Sequence, residues 1–277
     1  MASCCFQTVN SLDGRRFSNK KSFSYPAGAG MVAFALSGDA SYARTAIDDS
    51  CEALQSLQPE DHNLKGMRRA IRGTIKRVLR DYDEAGLDAG QKPEFIVAVG
   101  THAEGLRMYY ARNSAMPLVE HYQFSGSGAY LAHYIMNAFG PGSQVSIRET
   151  VPVAIHILNA TKSHDAGVGG GSQFIALRAF VTKECQSQAI SSTGLFQLKF
   201  NPKESEHISN YEQWCGGLLS SIGDPSLSDE EIDKRLAIFR NHMLEIRRTI
   251  NEPGTAYRGL IDHLSQTKRG TNSLSQP

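Results

Sequence analysis

A few polar or small residues stand where the chain changes direction, and each has a chemical use. Ser127 lies in Ser125-Gly126-Ser127-Gly128-Ala129, between an apolar, β-branched stretch and a helix-forming one. Asp165 ends a helix-like stretch, just before the glycine run that closes at Gly171. Lys20 and Lys21 lie ahead of the first apolar strand, and Gly38 ends that strand. A lysine in a site supplies positive charge that lowers a neighbour's pKa. A serine and an aspartate at bends can hydrogen-bond to an amine and orient it. Each residue also has a plain structural use, as a solvated lysine, a turn glycine, a helix-cap serine or a helix-end aspartate.

Several other chemistries fail on particular positions. No G-x-x-x-x-G-K-[ST] phosphate loop occurs. Gly126-x-Gly128 follows a strand-like stretch and opens a helix, but Leu131 stands where a dinucleotide fingerprint needs its third glycine. Ser127 lacks both outer glycines of a nucleophile elbow. The run Gly167–Gly171 comes after a helix and before a strand, the wrong order for a phosphate cradle. The nine histidines are scattered without H-E-x-x-H, so no metal is expected, and no cofactor. The five cysteines include no C-x-x-C pair, which fits a reducing, cytoplasmic setting. Nothing marks Cys4 or Cys5 as an activated thiol.

The elements that must hold these residues follow from periodicity. Gly30–Leu36 and Phe95–Gly100 are continuous apolar runs and predict strands buried on both faces. Leu106–Arg112, Met116–Gln123 and Gln173–Val181 predict further strands. Ala43, Ile47, Cys51 and Leu54 mark the buried stripe of a helix over about 40–57. Leu64, Met67, Ile71, Ile75, Val78 and Leu79 mark another, over about 60–83. The opposite face of that second helix is basic, from Lys65 to Arg80, with no aromatic residues between the charges. A solvated outer face explains it better than a nucleic-acid surface. Further helices are expected over 130–139 and, from the capping pattern Ser146-Ile-Arg-Glu149, up to about Ser163. Strands and helices segregate rather than alternate, which points to an antiparallel, layered α+β domain.

Net charge is +1 over 277 residues, with 40% hydrophobic and 21% charged residues, as in a globular core with no general pull toward polyanions. No apolar run approaches the roughly eighteen residues of a membrane helix, so no membrane partner is expected. Residues 183–205 are polar with few clear elements, and 207–222, around Trp214, read as helical. Ser228-Asp-Glu-Glu231 opens the most regular helix, with Ile232, Leu236, Phe239, Met243, Ile246 and Ile250 alternating at four and three. That seam serves either packing within the chain or contact between subunits. Residues 268–277 read as a disordered tail.

The ordered set of motifs resembles proteasome-type subunits. Leu36-Ser-Gly-Asp-Ala-Ser-Tyr-Ala43 resembles their strand end and first helix. Tyr122-Gln-Phe-Ser-Gly-Ser-Gly-Ala129 resembles the strand leading into a Gly-Ser-Gly turn. Lys162-Ser-His-Asp-Ala-Gly-Val-Gly-Gly-Gly171 resembles the helix end, aspartate and glycine loop, ahead of the strand Phe174–Leu177. The match runs over about 15–182. It implies the four-layer αββα sandwich of N-terminal-nucleophile hydrolases over 1–182, with 183–267 as a helical extension. It also implies peptide-bond hydrolysis by an N-terminal threonine whose own amine is the base, and self-association into a ring or other homo-oligomer. By the same resemblance the catalytic set is Lys21 (or Lys20) to lower the nucleophile's pKa, Gly38 at the oxyanion, and Ser127 and Asp165 on the amino terminus. The family's second serine, just past the aspartate, falls near Val168.

Family members open with the nucleophile on a strand and a hairpin carrying a further aspartate. Lys21 lies too near Met1 to leave room for these, so Met1 is expected to be an internal methionine of a longer reading frame, and the printed chain to be inactive by itself. Two other readings share the fold: a non-catalytic structural subunit of a self-compartmentalising assembly, and a small-molecule amidase.

Overall fold

The apolar runs become the spine of one antiparallel sheet. In the computed structural model, which describes residues 2–8, 22–27, 30–113, 115–139, 147–165, 168, 172–181, 188–192, 196–204, 218, 221 and 224–265, strands β2 (Ser22–Ala27), β3 (Gly30–Ser37), β4 (Glu94–Thr101), β5 (Gly105–Ala111) and β6 (Leu118–Val119) pair in that order. Val32 faces Val99, and Phe34 faces Val97, across β3 and β4. A second sheet joins β1 (Ala2–Thr8), β7 (Ser172–Val181), β8 (Gln188–Ser192) and β9 (Phe196–Leu198), with Cys4 opposite Ala176 and Cys5 opposite Ile175. The architecture is α+β.

Continuous apolarity in β3 and β4 has a direct cause: both faces of the sheet are covered. Val32, Phe34, Leu36, Phe95, Val97 and Val99 pack with helices α1 (Ala40–Gln55) and α2 (Leu64–Glu84). The alternate residues Ala33, Ala35, Ile96 and Ala98 meet Ile175 and Leu177 of β7. Period-two geometry sends successive side chains to opposite faces, so a strand between two layers must be apolar at every position. Helices α3 (Ala129–Phe139) and α4 (Ile147–His164) pack on each other through Ala132, Ile135, Ile157 and Ala160.

The helix stripes fall as the periodicity predicts, with one exchange. Leu64, Met67, Ile71, Ile75, Val78 and Leu79 are all buried. In α1, Ala43, Ile47 and Leu54 are buried, but Ala46 and Ser50 complete the stripe while Cys51 is only half-buried. The Ser50 hydroxyl resolves its own burial by donating to the Ala46 carbonyl at 2.6 Å. Part of the basic face of α2 is paired with acids. Arg69 pairs with Asp61 at 2.7 Å and Arg77 with Asp49 at 2.8 Å. Arg68 turns inward, donating to the Met116 carbonyl at 2.6 Å and lying over the Tyr109 ring.

Some expectations are corrected. Met116–Gln123 holds only the short β6; before it the Pro117 carbonyl accepts from the Tyr110 N–H of β5 and the Met116 carbonyl from Arg68. The helix expected from about 60 starts at Leu64, after a 3-10 turn at Pro59–Asp61 and an Asn63 cap whose side chain accepts from the Gly66 N–H. The polar stretch after Lys183 contains β8 and β9. The expected helix around Trp214 lies outside the described residues.

The chain divides into two compact units, Met1–Gln197 with Leu264–Pro277, and Leu198–His263. In the second, helix α5 (Asp229–Asn251) begins at Ser228, whose hydroxyl accepts from the Glu231 N–H. Helix α6 (Ala256–Ser265) has its start capped by Glu204, a carboxylate only 1% exposed that accepts from the Ala256 N–H at 2.8 Å. Among the described residues no helix is long and apolar enough to cross a membrane.

Candidate active site

Gly38 ends β3 in a conformation that glycine alone adopts easily, with φ +82°. A side chain there has no room either. A Cβ would stand 2.6 Å from the Lys92 carbonyl oxygen and 2.7 Å from that of Gln91. The Asp39 N–H donates to the same Gln91 oxygen at 2.7 Å, tying the strand end to the loop ahead of β4. Asp39 then caps α1 by accepting from the Ser41 and Tyr42 N–H groups at 2.8 and 3.1 Å. Lys92 is fixed in turn by Asp83 of α2, at 2.6 Å.

The Ser125–Ala129 turn meets this strand end from another layer. Gly126 has φ +90°, and a Cβ on it would lie 3.3 Å from the Ser37 Cβ. Its carbonyl accepts from the Ala129 N–H at 3.1 Å, and Gly128 accepts from Ala132 at 3.0 Å to open α3. Phe124 packs edge-on against His133, and the Tyr122 hydroxyl donates to the Asn137 side chain, so the approach to the turn is held by the helix it starts. Gly128 touches the end of α4: a Cβ there would stand 2.2 Å from Thr161 Cγ2, 2.8 Å from Val168 Cγ2 and 3.7 Å from Asp165 Oδ2. The Asp165 N–H donates to the Thr161 carbonyl at 2.9 Å, and Asp165 accepts from Val168 at 3.0 Å.

The structure therefore brings Gly38, Ser127 and Asp165 to one corner. Gly38, Ser127 and Val168 line a cavity of about 540 Å³, and Asp165 stands behind Gly128. Ser127 is exposed and Asp165 half-buried. Lys20 and Lys21 lie outside the described residues.

Sequence reasoning missed the rest of the wall. Ser37 is only 9% exposed, and its hydroxyl has no hydrogen-bond partner among the described residues. Alternation along β3 was the available signal, since Ser37 follows Ala33 and Ala35 on the face toward the second sheet. Glu94 and Arg112, 3.1 Å apart, also line the cavity, and Glu94 accepts from the Tyr110 hydroxyl at 2.8 Å. Burial and that carboxylate push the Tyr110 phenol well above its ordinary pKa. Burial pushes the Cys51 thiol up to about 11, so it is not a thiolate nucleophile at neutral pH. Lys162 of α4 donates to the Ser172 hydroxyl at 2.9 Å, and burial lowers its pKa. Among the described residues no group of histidine, cysteine and carboxylate side chains could hold a metal.

The corner can do three things chemically. It offers small-residue backbone at Gly38 for close approach of a carbonyl, a serine hydroxyl, and a carboxylate able to hold a cation. The fold that places them is one already seen in solved structures. The chain superposes on Anbu from Hyphomicrobium sp. strain MC1 with TM-score 0.58 at 14% identity, covering 82% of this chain and 94% of that one. Anbu from Yersinia bercovieri, titled an ancestral beta-subunit, gives TM-score 0.57 at 14% identity, with the same 82% and 94% coverage. The helical assembly of the Anbu complex from Pseudomonas aeruginosa gives 0.57 at 11%, covering 83% and 94%. At this identity the likeness establishes a shared, proteasome-like fold. No protein-family model and no curated protein matches the chain by sequence.

Proposed function

We propose that the protein is a self-assembling, proteasome-like N-terminal-nucleophile hydrolase, built as a four-layer αββα sandwich, that cleaves peptide bonds with a threonine nucleophile in its full-length form. The observation that carries this reading is that Gly38 and the Ser127 turn line one cavity, with Asp165 behind Gly128, from stretches far apart in sequence. The fold shared with a protein titled an ancestral beta-subunit supports it.

In this reading the nucleophile's hydroxyl gives its proton to its own α-amine and attacks the scissile carbonyl. Negative charge then grows on the carbonyl oxygen, beside the backbone at Gly38. Preorganised N–H donors stabilise that charge without reorganising. Asp165 and Ser127 hold the amine as it takes the proton and later returns it to the leaving group. Lys21, or Lys20 beside it, lowers the nucleophile's pKa by its charge. Ser37, a buried hydroxyl on the same wall, hydrogen-bonds the bound chain.

The test is peptide and amide hydrolysis by the full-length form, with labelling by a threonine-directed electrophile and intact mass to locate the label. Ser127→Ala and Asp165→Asn are expected to lower kcat by about 10²-fold or more, as loss of a positioned proton-transfer network does. Unchanged hydrolysis in both variants would overturn the site. Label on a residue other than an N-terminal threonine would overturn the mechanism. Turnover of small amides but not peptides would favour an amidase on the same fold.

A further inference from the structure

Helix α5 carries six large apolar residues in line, yet Thr249 is its only buried residue. Leu236 is 48% exposed and Met243 37%. Ile232, Phe239, Ile246 and Ile250 are half-buried, and the apolar surface this row leaves in water costs roughly 25 cal/mol for each Å². The intervals Ile232–Leu236–Phe239–Met243–Ile246–Ile250 run four, three, four, three, four, the spacing of a left-handed helix pair.

We propose that α5 is a self-pairing surface that joins two copies of this chain antiparallel. The interval pattern reads the same from either end. A two-fold axis near Asn241 therefore lays Ile232 on the partner's Ile250, Leu236 on the partner's Ile246, and Phe239 on the partner's Met243. That is the self-complementarity a two-fold interface requires. Phe239 against Met243 also gives a sulfur–aromatic contact.

Charge selects the direction. The first turn carries Asp229, Glu230 and Glu231, and Arg248 lies in the last, with Asp233 and Arg247 just inside. Parallel pairing sets acid on acid and base on base. Antiparallel pairing crosses them, places Asp233 beside the partner's Arg247, and opposes the helix dipoles. Lys234 and Arg235 already lie beside Glu230 and Glu231 on their own helix, at 3.2 and 4.0 Å. Arg240 alone meets its own like beside the axis, where its long stem lets the two heads part into water. A 23-residue helix is about 34 Å long, short for an autonomous coiled coil, so the pair forms in the context of the whole chain.

The proposal rests on the reading that the chain self-associates and adds the surface by which it does so. It is tested on the whole 277-residue chain by sedimentation velocity over a concentration series. Asp233→Arg alone, or Arg247→Asp alone, is expected to weaken self-association by at least about tenfold, with circular dichroism unchanged. Mixing the two variants restores it, because each mutated residue then faces its opposite charge on the other chain. Leu236→Glu abolishes the pair. If the particle persists in all three variants, the surface is wrong and self-association stands. If the unmodified chain is a monomer at every concentration, both fall. If the single variants dissociate and mixing does not rescue them, antiparallel pairing is wrong. Hydrolysis by the full-length form is a separate readout on which none of these outcomes depends.

Discussion

Gly38 illustrates how one residue type can be demanded twice. Its φ of +82° disfavours any side chain, and its surroundings leave no volume for a Cβ. Gly38→Ala is therefore expected to lower stability by at least ~2 kcal/mol, read from the urea midpoint. Ser37 next to it predicts the opposite trade. Removing a buried hydroxyl with no partner among the described residues is expected to stabilise the fold by ~1 kcal/mol. If Ser37 bonds the bound chain, Ser37→Ala raises Tm and raises KM together. A raised Tm with unchanged kinetics would confine Ser37 to a structural role. Lys162 gives a pH signature. Burial lowers its folded pKa below the ordinary 10.5, so in the window between those values the unfolded chain holds more protons. Stability gained from this group therefore rises as pH climbs through the folded pKa and levels off above 10.5. Lys162→Met is expected to remove that alkaline rise in a series of thermal melts.

At the scale of elements, the starts of α1 and α5 lie where the sequence puts them. Asp39 and Ser228 cap α1 and α5 through their own side chains, each satisfying N–H groups that the helix leaves open. Asp39→Ala is expected to cost about 1 kcal/mol. Helix α6 is capped twice: Thr255 accepts locally from the Arg258 N–H at 3.3 Å, and Glu204, far away in sequence and buried, accepts from the Ala256 N–H. Glu204→Ala leaves the Ala256 N–H without that acceptor and is expected to cost about 2 kcal/mol, seen as a lower Tm. No local pattern could announce the Glu204 contact, because its donor and acceptor share no helix turn. Element ends behave alike: β6 spans only Leu118–Val119, and an arginine from α2 takes the Met116 carbonyl just before it.

At the scale of the molecule, the sheets explain why the site has its position. The five-stranded sheet is covered by α1 and α2 on one face and meets β7 on the other, so the end of β3 is a rim rather than a buried interior. Small residues at that rim keep it open: Ala35, Ser37 and Gly38 from one side, Gly126 and Gly128 from the other. Larger side chains at these positions would close it. Gly128→Leu is expected to close the cavity and abolish labelling by the threonine-directed probe, because a Cβ at this position would stand 2.2 Å from Thr161 Cγ2.

The sequence by itself determined what each element hides. Alternation and three-to-four spacing are local properties, and they named the buried faces of β3, β4, α1 and α2 almost residue by residue. Motif order pointed to the fold, and motif positions pointed to Gly38, Ser127 and Asp165. Only the tertiary structure decided what those faces meet. Phe6 pairs opposite Phe174, and Gly126 lies against Ser37, through contacts whose partners are remote in the chain. Periodicity says that a face is apolar, not which other apolar face will cover it. That choice depends on chain closure and packing over the whole domain. The buried Ser37 hydroxyl, the distant Glu204 contact and the open seam of α5 are all properties of that choice.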